Sequence, residues 1–137
     1  MRISKIDPIK TKELCEIVEG LPLNAEDREW LRGYTFYAVD HMKGRCYHEE
    51  KIITVPTICW TEDFFWCGKH RLMGGMNLVR YYVIHEVTHA LVGHRAKHGP
   101  EFMAKFQEIC PVYLQHFELL YKPRNAKVAG IGEAQCS

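Results

Sequence analysis

Two histidines and a glutamate, at positions 85, 86 and 89, carry the chemistry that this sequence suggests first. The pentapeptide reads His85-Glu86-Val87-Thr88-His89. On an α-helix, residues four apart lie about 40° apart around the axis and about 6 Å apart along it, so both imidazoles can face one point. Imidazole is a common metal ligand, and a carboxylate beside the first ligand can take a proton from a water on the same ion. The motif therefore predicts a metal site that supports hydrolysis, with Glu86 as general base.

The sequence around the motif predicts the helix that the site needs. Residues 76–92 are apolar on nearly every helical face, and Gly93 follows as a candidate left-handed residue just past the helix end. A helix of this kind is buried, and burying two imidazoles and a carboxylate without partners costs several kcal/mol. A bound cation removes much of that cost. The alternative is a pair of core histidines that bond to backbone or carboxylate groups.

A third metal ligand has to come from downstream of the helix. Catalytic zinc sites take three protein ligands and leave the fourth position to water. His94 follows Gly93 directly, where the chain has barely turned. His98 precedes Pro100, which suits the first turn of a second helix, so His98 would lie at a helix start that turns back to the site. We therefore favour His98 as the third ligand and keep His94 as the alternative.

The motif helix that ends in glycine, followed by a loop to His-Gly-x-x-Phe, resembles the SprT-like zinc metallopeptidases. This family includes the Spartan-type proteases, which cleave proteins crosslinked to DNA. The resemblance covers residues 52–111, and residues 52–57 and 121–126 look like those of small stand-alone phage or bacterial members. It is most specific at five positions: His85, Glu86, His89, His98 and Phe102.

The resemblance implies a zincin-like α+β fold, in which a small antiparallel or mixed three-stranded sheet packs on the active-site helix beside additional helices. It also implies zinc as the cofactor, bound by His85, His89 and His98, with Glu86 as catalytic base and a protein or peptide as substrate. Many family members carry a C-terminal zinc ribbon or DNA-binding region. The six cysteines of this chain contain no C-x-x-C pair, so a ribbon is not expected and DNA association stays an alternative.

An oxyanion donor or a substrate contact is also expected near such a site. The candidates are Tyr81, Tyr82, Tyr113, His116 and Tyr121, and we retain Tyr82, Tyr113 and His116 as the foremost. Glu101 is a candidate to orient a ligand imidazole, or else a favourable charge in the first turn of its helix. The aromatic run 64–66 would line a substrate cleft or lie in the core.

The elements that must position these residues follow from periodicity and turn signals. Asn24 is the expected N-cap of the second helix. Pro56 predicts that the strand 51–55 either lies at a sheet edge or ends there, and as an edge strand it could pair with an extended substrate. We predict helices at 11–20, 24–32, 76–92, 100–109 and 111–121, strands at 34–39, 45–48 and 51–55, and a loop or irregular hairpin at 60–73. Residues 1–121 would form one catalytic domain, with 122–137 as a tail.

Composition narrows the function classes. The chain has 137 residues and a net charge of +1, so one domain is expected and no strong field attracts nucleic acid or anionic membrane. The N-terminal residues lack an apolar h-region, which predicts a cytoplasmic protein without a membrane span. A zinc endopeptidase is favoured. The alternatives are a metal-binding interaction module without turnover, and a DNA-associated adaptor using Arg71, Arg80, Arg95, Lys97, Lys122, Arg124 and Lys127.

Overall fold

The computed structural model describes residues 3, 5–41, 43–61, 64–67, 70–73 and 76–109, with backbone alone for 64–67, 70–73, 76 and 77. The described chain has an α+β architecture. Its helices are α1 (Pro8–Glu19), α2 (Ala25–Leu31), α3 (Met76–Val92) and α4 (Pro100–Ile109), and its strands are β1 (Thr35–Val39), β2 (Arg45–Tyr47), β3 (Ile52–Pro56), β4 (Phe64–Cys67) and β5 (His70–Met73). Short 3₁₀ turns occupy Thr57–Trp60 and His94–Ala96. The predicted helix 111–121 and tail 122–137 lie outside the described residues.

The larger sheet is three-stranded and mixed, as predicted. Strand β3 lies in its centre, parallel to β1 and antiparallel to β2. The alternative that segment 51–55 forms an edge strand is therefore wrong, whereas the alternative that the strand ends at Pro56 is confirmed. Pro56 is compatible with a central strand here because it is the last residue of β3, paired with Val39 at the end of the ladder.

The two outer edges of this sheet differ. The N–H of Asp7 donates to the carbonyl of Ala38 at 2.9 Å, so the segment leading into α1 covers the edge of β1. In β2, the N–H of Arg45 donates to Thr54 Oγ1 at 3.1 Å and therefore faces β3. Alternation along the strand then turns the N–H and C=O of Cys46 outward. Among the described strands, none pairs with that outer edge of β2.

Helix α3 is the centre of the fold. It packs against β2, β3, α1, α2 and α4, which explains why its sequence is apolar on nearly all sides. The core that surrounds it includes Leu14, Leu31, Ile53, Val55, Leu78, Val79, Val83, Val87, Phe102 and Phe106. None of the helices in the described part of the chain is long and apolar enough to cross a membrane.

Side-chain hydrogen bonds fix the helices around α3. Asn24 accepts the N–H of Asp27 at 2.8 Å, which confirms the predicted N-cap of α2. The indole N–H of Trp30 then donates to the carbonyl of Ala90 at 2.8 Å, joining α2 to the last turn of α3. Lys105 pairs with Asp27 at 2.9 Å and joins α4 to α2. The end of α3 and the middle of α4, the two helices that flank the third histidine, are thus both tied to α2.

Two sequence expectations about the remaining segments need adjustment. Helix α1 starts at Pro8, three residues before the predicted start, because Asp7 caps it by accepting the N–H of Lys10 at 3.0 Å. The segment 60–73, predicted as a loop or irregular hairpin, contains a regular antiparallel pair, from Phe64 opposite Met73 to Cys67 opposite His70. The side chains of the aromatic run 64–66 lie outside the described residues, so its cleft role stays a prediction.

Candidate metal centre

Three imidazole nitrogens converge on one point. The Nε2 atoms of His85 and His89 lie 3.2 Å apart, those of His89 and His98 3.1 Å apart, and those of His85 and His98 3.2 Å apart. Three nitrogens bound to one tetrahedral zinc ion at bond lengths of about 2.0–2.1 Å would lie about 3.3 Å from one another. The spacing and the chemistry of the three donors therefore fit a single metal ion.

Helix α3 supplies two of these donors from a buried position. His85 and His89 are one turn apart on its inner face and are only 4% and 6% exposed. The carbonyl of His89 accepts the N–H of Gly93 at 3.0 Å, which closes the last helical turn. The helix predicted from the sequence is therefore present, and it holds both histidines of the pentapeptide on one face.

A sharp reversal after α3 brings in the third donor. Gly93 has φ 92° and ψ 164°, which confirms the expected positive φ but lies in a backbone region essentially restricted to glycine rather than in the left-handed helical region. Lys97, directly before His98, has φ 47° and ψ −128°. Two positive-φ residues therefore bracket the short turn, and α4 begins at Pro100 as predicted.

The two candidates for the third donor separate clearly. His98 is exposed overall, yet its Nε2 joins the buried pair. His94 is exposed and points to another neighbour, since its ring lies edge-on to that of His48 with 5.6 Å between centroids. The structure therefore brings His98, the favoured candidate, to the pair.

Glu86 lies between the histidines in sequence and is completely buried. Its charge acts on the groups around it. Burial raises the pKa of the Cys46 thiol to about 12, and the negative charge of Glu86 adds to the rise. The same two causes, in the same order, raise the pKa of Cys59 and of the Tyr81 and Tyr82 phenols. These thiols and phenols stay protonated near neutral pH, so none of them competes with Glu86 as a base.

Tyr82, one of the foremost oxyanion or substrate candidates, lies beside the site. Its ring centroid is 6.3 Å from that of His85. Its phenol oxygen accepts the main-chain N–H of Gly44 at 2.9 Å, a bond that ties β2 to α3. Its observed role is therefore to hold the strand against the site helix, and a direct role toward substrate stays a prediction.

Some of the other candidates for an oxyanion donor or ligand-orienting group lie within the described residues and some lie outside them. Tyr113, His116 and Tyr121 lie outside the described residues, and their suggested roles stay predictions. Tyr81 is buried and packs against His85, with 6.1 Å between ring centroids. Glu101 is exposed in the first turn of α4, where a negative charge favours the helix N-terminus.

Sequence reasoning missed the neighbours that β2 contributes. Cys46 lies near enough to Glu86 for the carboxylate charge to add to the rise in the pKa of its thiol, and Cys46 Sγ is 3.8 Å from His48 Nδ1. No local pattern marks these residues, because their position depends on how a three-residue strand packs against a helix far along the chain. The packing of the Phe102 ring against the three histidine rings was missed as well, although the sequence pattern contains this residue.

Comparisons of the chain with protein-family models, with curated proteins and with solved structures found no match. Any assignment of function therefore rests on the histidine cluster, Glu86 and the elements that hold them.

Proposed function

We propose that this protein is a zinc-dependent metallopeptidase of the SprT-like type with a zincin-like fold. The observation that carries the proposal is the spacing of the three Nε2 atoms of His85, His89 and His98, 3.1 to 3.2 Å apart. A second observation supports hydrolysis over mere metal storage. Glu86 is a wholly buried carboxylate next to one ligand on the same helix, a position that a structural metal site does not require.

In the proposed hydrolysis the three histidines bind the metal ion and Glu86 transfers the proton. The three histidines would hold the ion, which when bound polarises the scissile carbonyl and lowers the pKa of a water towards about 7. Glu86 accepts a proton from the attacking water while the water oxygen bonds to the carbonyl carbon. Glu86 then delivers that proton to the amine nitrogen as the carbon–nitrogen bond breaks. The net change is the addition of one water across the peptide bond.

Strand β2 is the surface that we propose for holding the substrate chain. Its outward Cys46 N–H and C=O can bond to an extended peptide, and such main-chain pairing demands little of the substrate sequence. The edge of β1 is not equivalent, because Asp7 already bonds to Ala38 there. The buried bond between Gly44 and Tyr82 keeps β2 next to the site helix. This role was expected for segment 51–55 and moves to β2, because β3 is central.

Metal content of purified variants tests the site. We expect one zinc per chain in the wild type and in His94→Ala, and a large loss in His98→Ala. His94→Ala is the matched control, because it also removes an exposed histidine from the turn after α3. Full zinc in His98→Ala, or no metal in the wild type, would overturn the proposed site.

Peptide-bond cleavage separates the proposed enzyme from the two alternatives. Cleavage of an unfolded protein substrate should be lost in Glu86→Gln while zinc is retained, because the amide cannot take up the proton. An interaction module would show no cleavage in the wild type. A DNA adaptor would instead bind DNA with a steep salt dependence. Of its seven proposed basic residues, Arg80, Arg95 and Lys97 are exposed, and the side chains of the other four lie outside the described residues.

A further inference from the structure

One aromatic ring touches all three candidate ligands. The centroid of the Phe102 ring lies 5.1 Å from that of His85, 4.7 Å from that of His89 and 5.0 Å from that of His98. Phe102 is on the buried face of α4, with only 3% of its surface exposed. We propose that Phe102 is a positioning residue that holds the three imidazoles in the arrangement a metal ion requires. This inference rests on the metal site of the proposed function.

The physical reason lies in the freedom of a histidine ring. The torsion that turns an imidazole about its Cβ–Cγ bond is broad and has no sharply preferred value. The position of Nε2 relative to the other donors therefore has to be fixed by packing or by hydrogen bonds. The Phe102 ring stands at 88° to the His98 ring, at 61° to His85 and at 44° to His89. A single rigid plane that contacts all three rings restricts their rotations together.

His98 depends on this contact more than the other two. His85 and His89 lie within a buried helix, whereas His98 is exposed and comes from a turn that contains two positive-φ residues. Phe102 follows it by four residues and is already inside α4, so its own backbone is fixed. We infer that the Phe102 ring is the anchor that keeps the His98 imidazole turned toward α3.

The Phe102 ring is itself packed against a second aromatic ring, that of Phe106. Phe106, one turn further along α4, stacks on Phe102 with 6.0 Å between centroids and an angle of 27°. It also packs against Tyr81 at 5.5 Å. Phe106 is as deeply buried as Phe102, with 3% exposure. It therefore provides a matched control: the same residue type, helix and depth, one layer removed from the histidines.

The test compares Phe102→Leu with Phe106→Leu. Each change removes an aromatic ring from the core, so both metal-free variants should lose thermal stability to a similar degree. Zinc affinity, measured by competition with a chelator, should fall about 10- to 100-fold in Phe102→Leu, the range seen when groups that support ligands are removed. It should change by less than about 3-fold in Phe106→Leu. The visible absorption of bound Co(II), which reports ligand geometry, should change only in Phe102→Leu.

The outcomes are distinguishable. Zinc affinity and Co(II) spectra that are alike in the two variants would overturn the positioning role and leave the metal site intact. A wild type that binds no metal would overturn the proposed function itself. If Phe102→Leu does not fold, Phe102→Met fills a similar volume without a ring, and the same comparison decides. Retention of wild-type affinity and spectrum in Phe102→Met would overturn the inference.

Discussion

The main-chain N–H of Gly44 donates to the phenol oxygen of Tyr82 at 2.9 Å, although 38 residues separate them in sequence. The bond is buried and joins the residue before β2 to a tyrosine on α3, three residues before His85. A side chain at position 44 would not fit, because a Cβ there would collide with the Tyr82 ring on α3 and would lie 2.6 Å from the carbonyl oxygen of Thr54 on β3. The edge strand can approach the site helix this closely only because residue 44 is glycine.

Gly44→Ala should therefore be strongly destabilising. The methyl group would collide with backbone, which cannot move without displacing β2 or β3, so we expect a loss of about 3 kcal/mol in the free energy of unfolding. Urea denaturation of the metal-free protein measures it. Gly33→Ala is the control, since a Cβ there would make only ordinary contacts, the nearest with Lys51 Cδ at 3.5 Å. Equal stability of the two variants would contradict the close approach of β2 and α3.

The described helices and the residues of the histidine cluster could be predicted from the sequence because their signals are local. The spacing of His85 and His89 is set by the helix they share, and α3 has the predicted bounds. The order of strands could not be predicted. Pro56 is compatible with an edge strand or with a strand end, and the sequence does not choose between them; β3 is central because β1 pairs with it across a crossover. The contacts of Gly44 and of Phe102 could not be predicted either. The first joins segments that are far apart in sequence, and the second depends on how side chains pack.

Substitution of Gly93 tests whether the turn before His98 needs a glycine conformation. Its φ of 92° and ψ of 164° are strained for any residue with a Cβ, although a methyl group would meet no atom within 4 Å. Gly93→Ala should therefore cost about 1–3 kcal/mol through backbone strain alone. It should also weaken zinc binding, because relief of the strain moves His98.

Chemical denaturation and chelator competition measure the two effects of Gly93→Ala. Gly20→Ala is the control, because Gly20 ends α1 with an ordinary φ of −84°. A Gly93→Ala variant as stable as Gly20→Ala, with unchanged zinc affinity, would show that the turn does not need this conformation.

The His48 imidazole should make the stability of the protein depend on pH. Burial lowers the pKa of the His48 imidazole below its ordinary value, and the neighbouring His94 ring lowers it further. The folded state then binds fewer protons than the unfolded state, so this contribution to stability is present above the ordinary pKa of about 6.5 and is lost as the pH falls through and below that value. In His94→Gln, the pKa of His48 should rise part of the way back, since burial remains. Proton NMR titration of His48 in the metal-free protein checks this, and an unchanged or lower pKa would contradict the contact.

Glu86 can be tested without any substrate, through the thiol of Cys46. Burial and the charge of Glu86 together raise the pKa of this thiol to about 12, so little thiolate is present at pH 8 and alkylation should be slow. Glu86→Gln removes the charge but not the burial, and the pKa of Cys46 should fall. Its alkylation by iodoacetamide should then become a few-fold faster, because the thiolate is the reacting form.

Cys15 provides the internal control for this measurement. It is also partly buried, but the charge that raises the pKa of its thiol is that of Glu19 on its own helix. Mass spectrometry of the two alkylated peptides gives both rates from one metal-free sample. Faster modification of Cys46 alone would mean that Glu86 is ionised and close to β2, as a general base beside the proposed substrate strand must be. Equal rates in wild type and Glu86→Gln would mean that Glu86 is neutral or distant, and its role as the base would then fail.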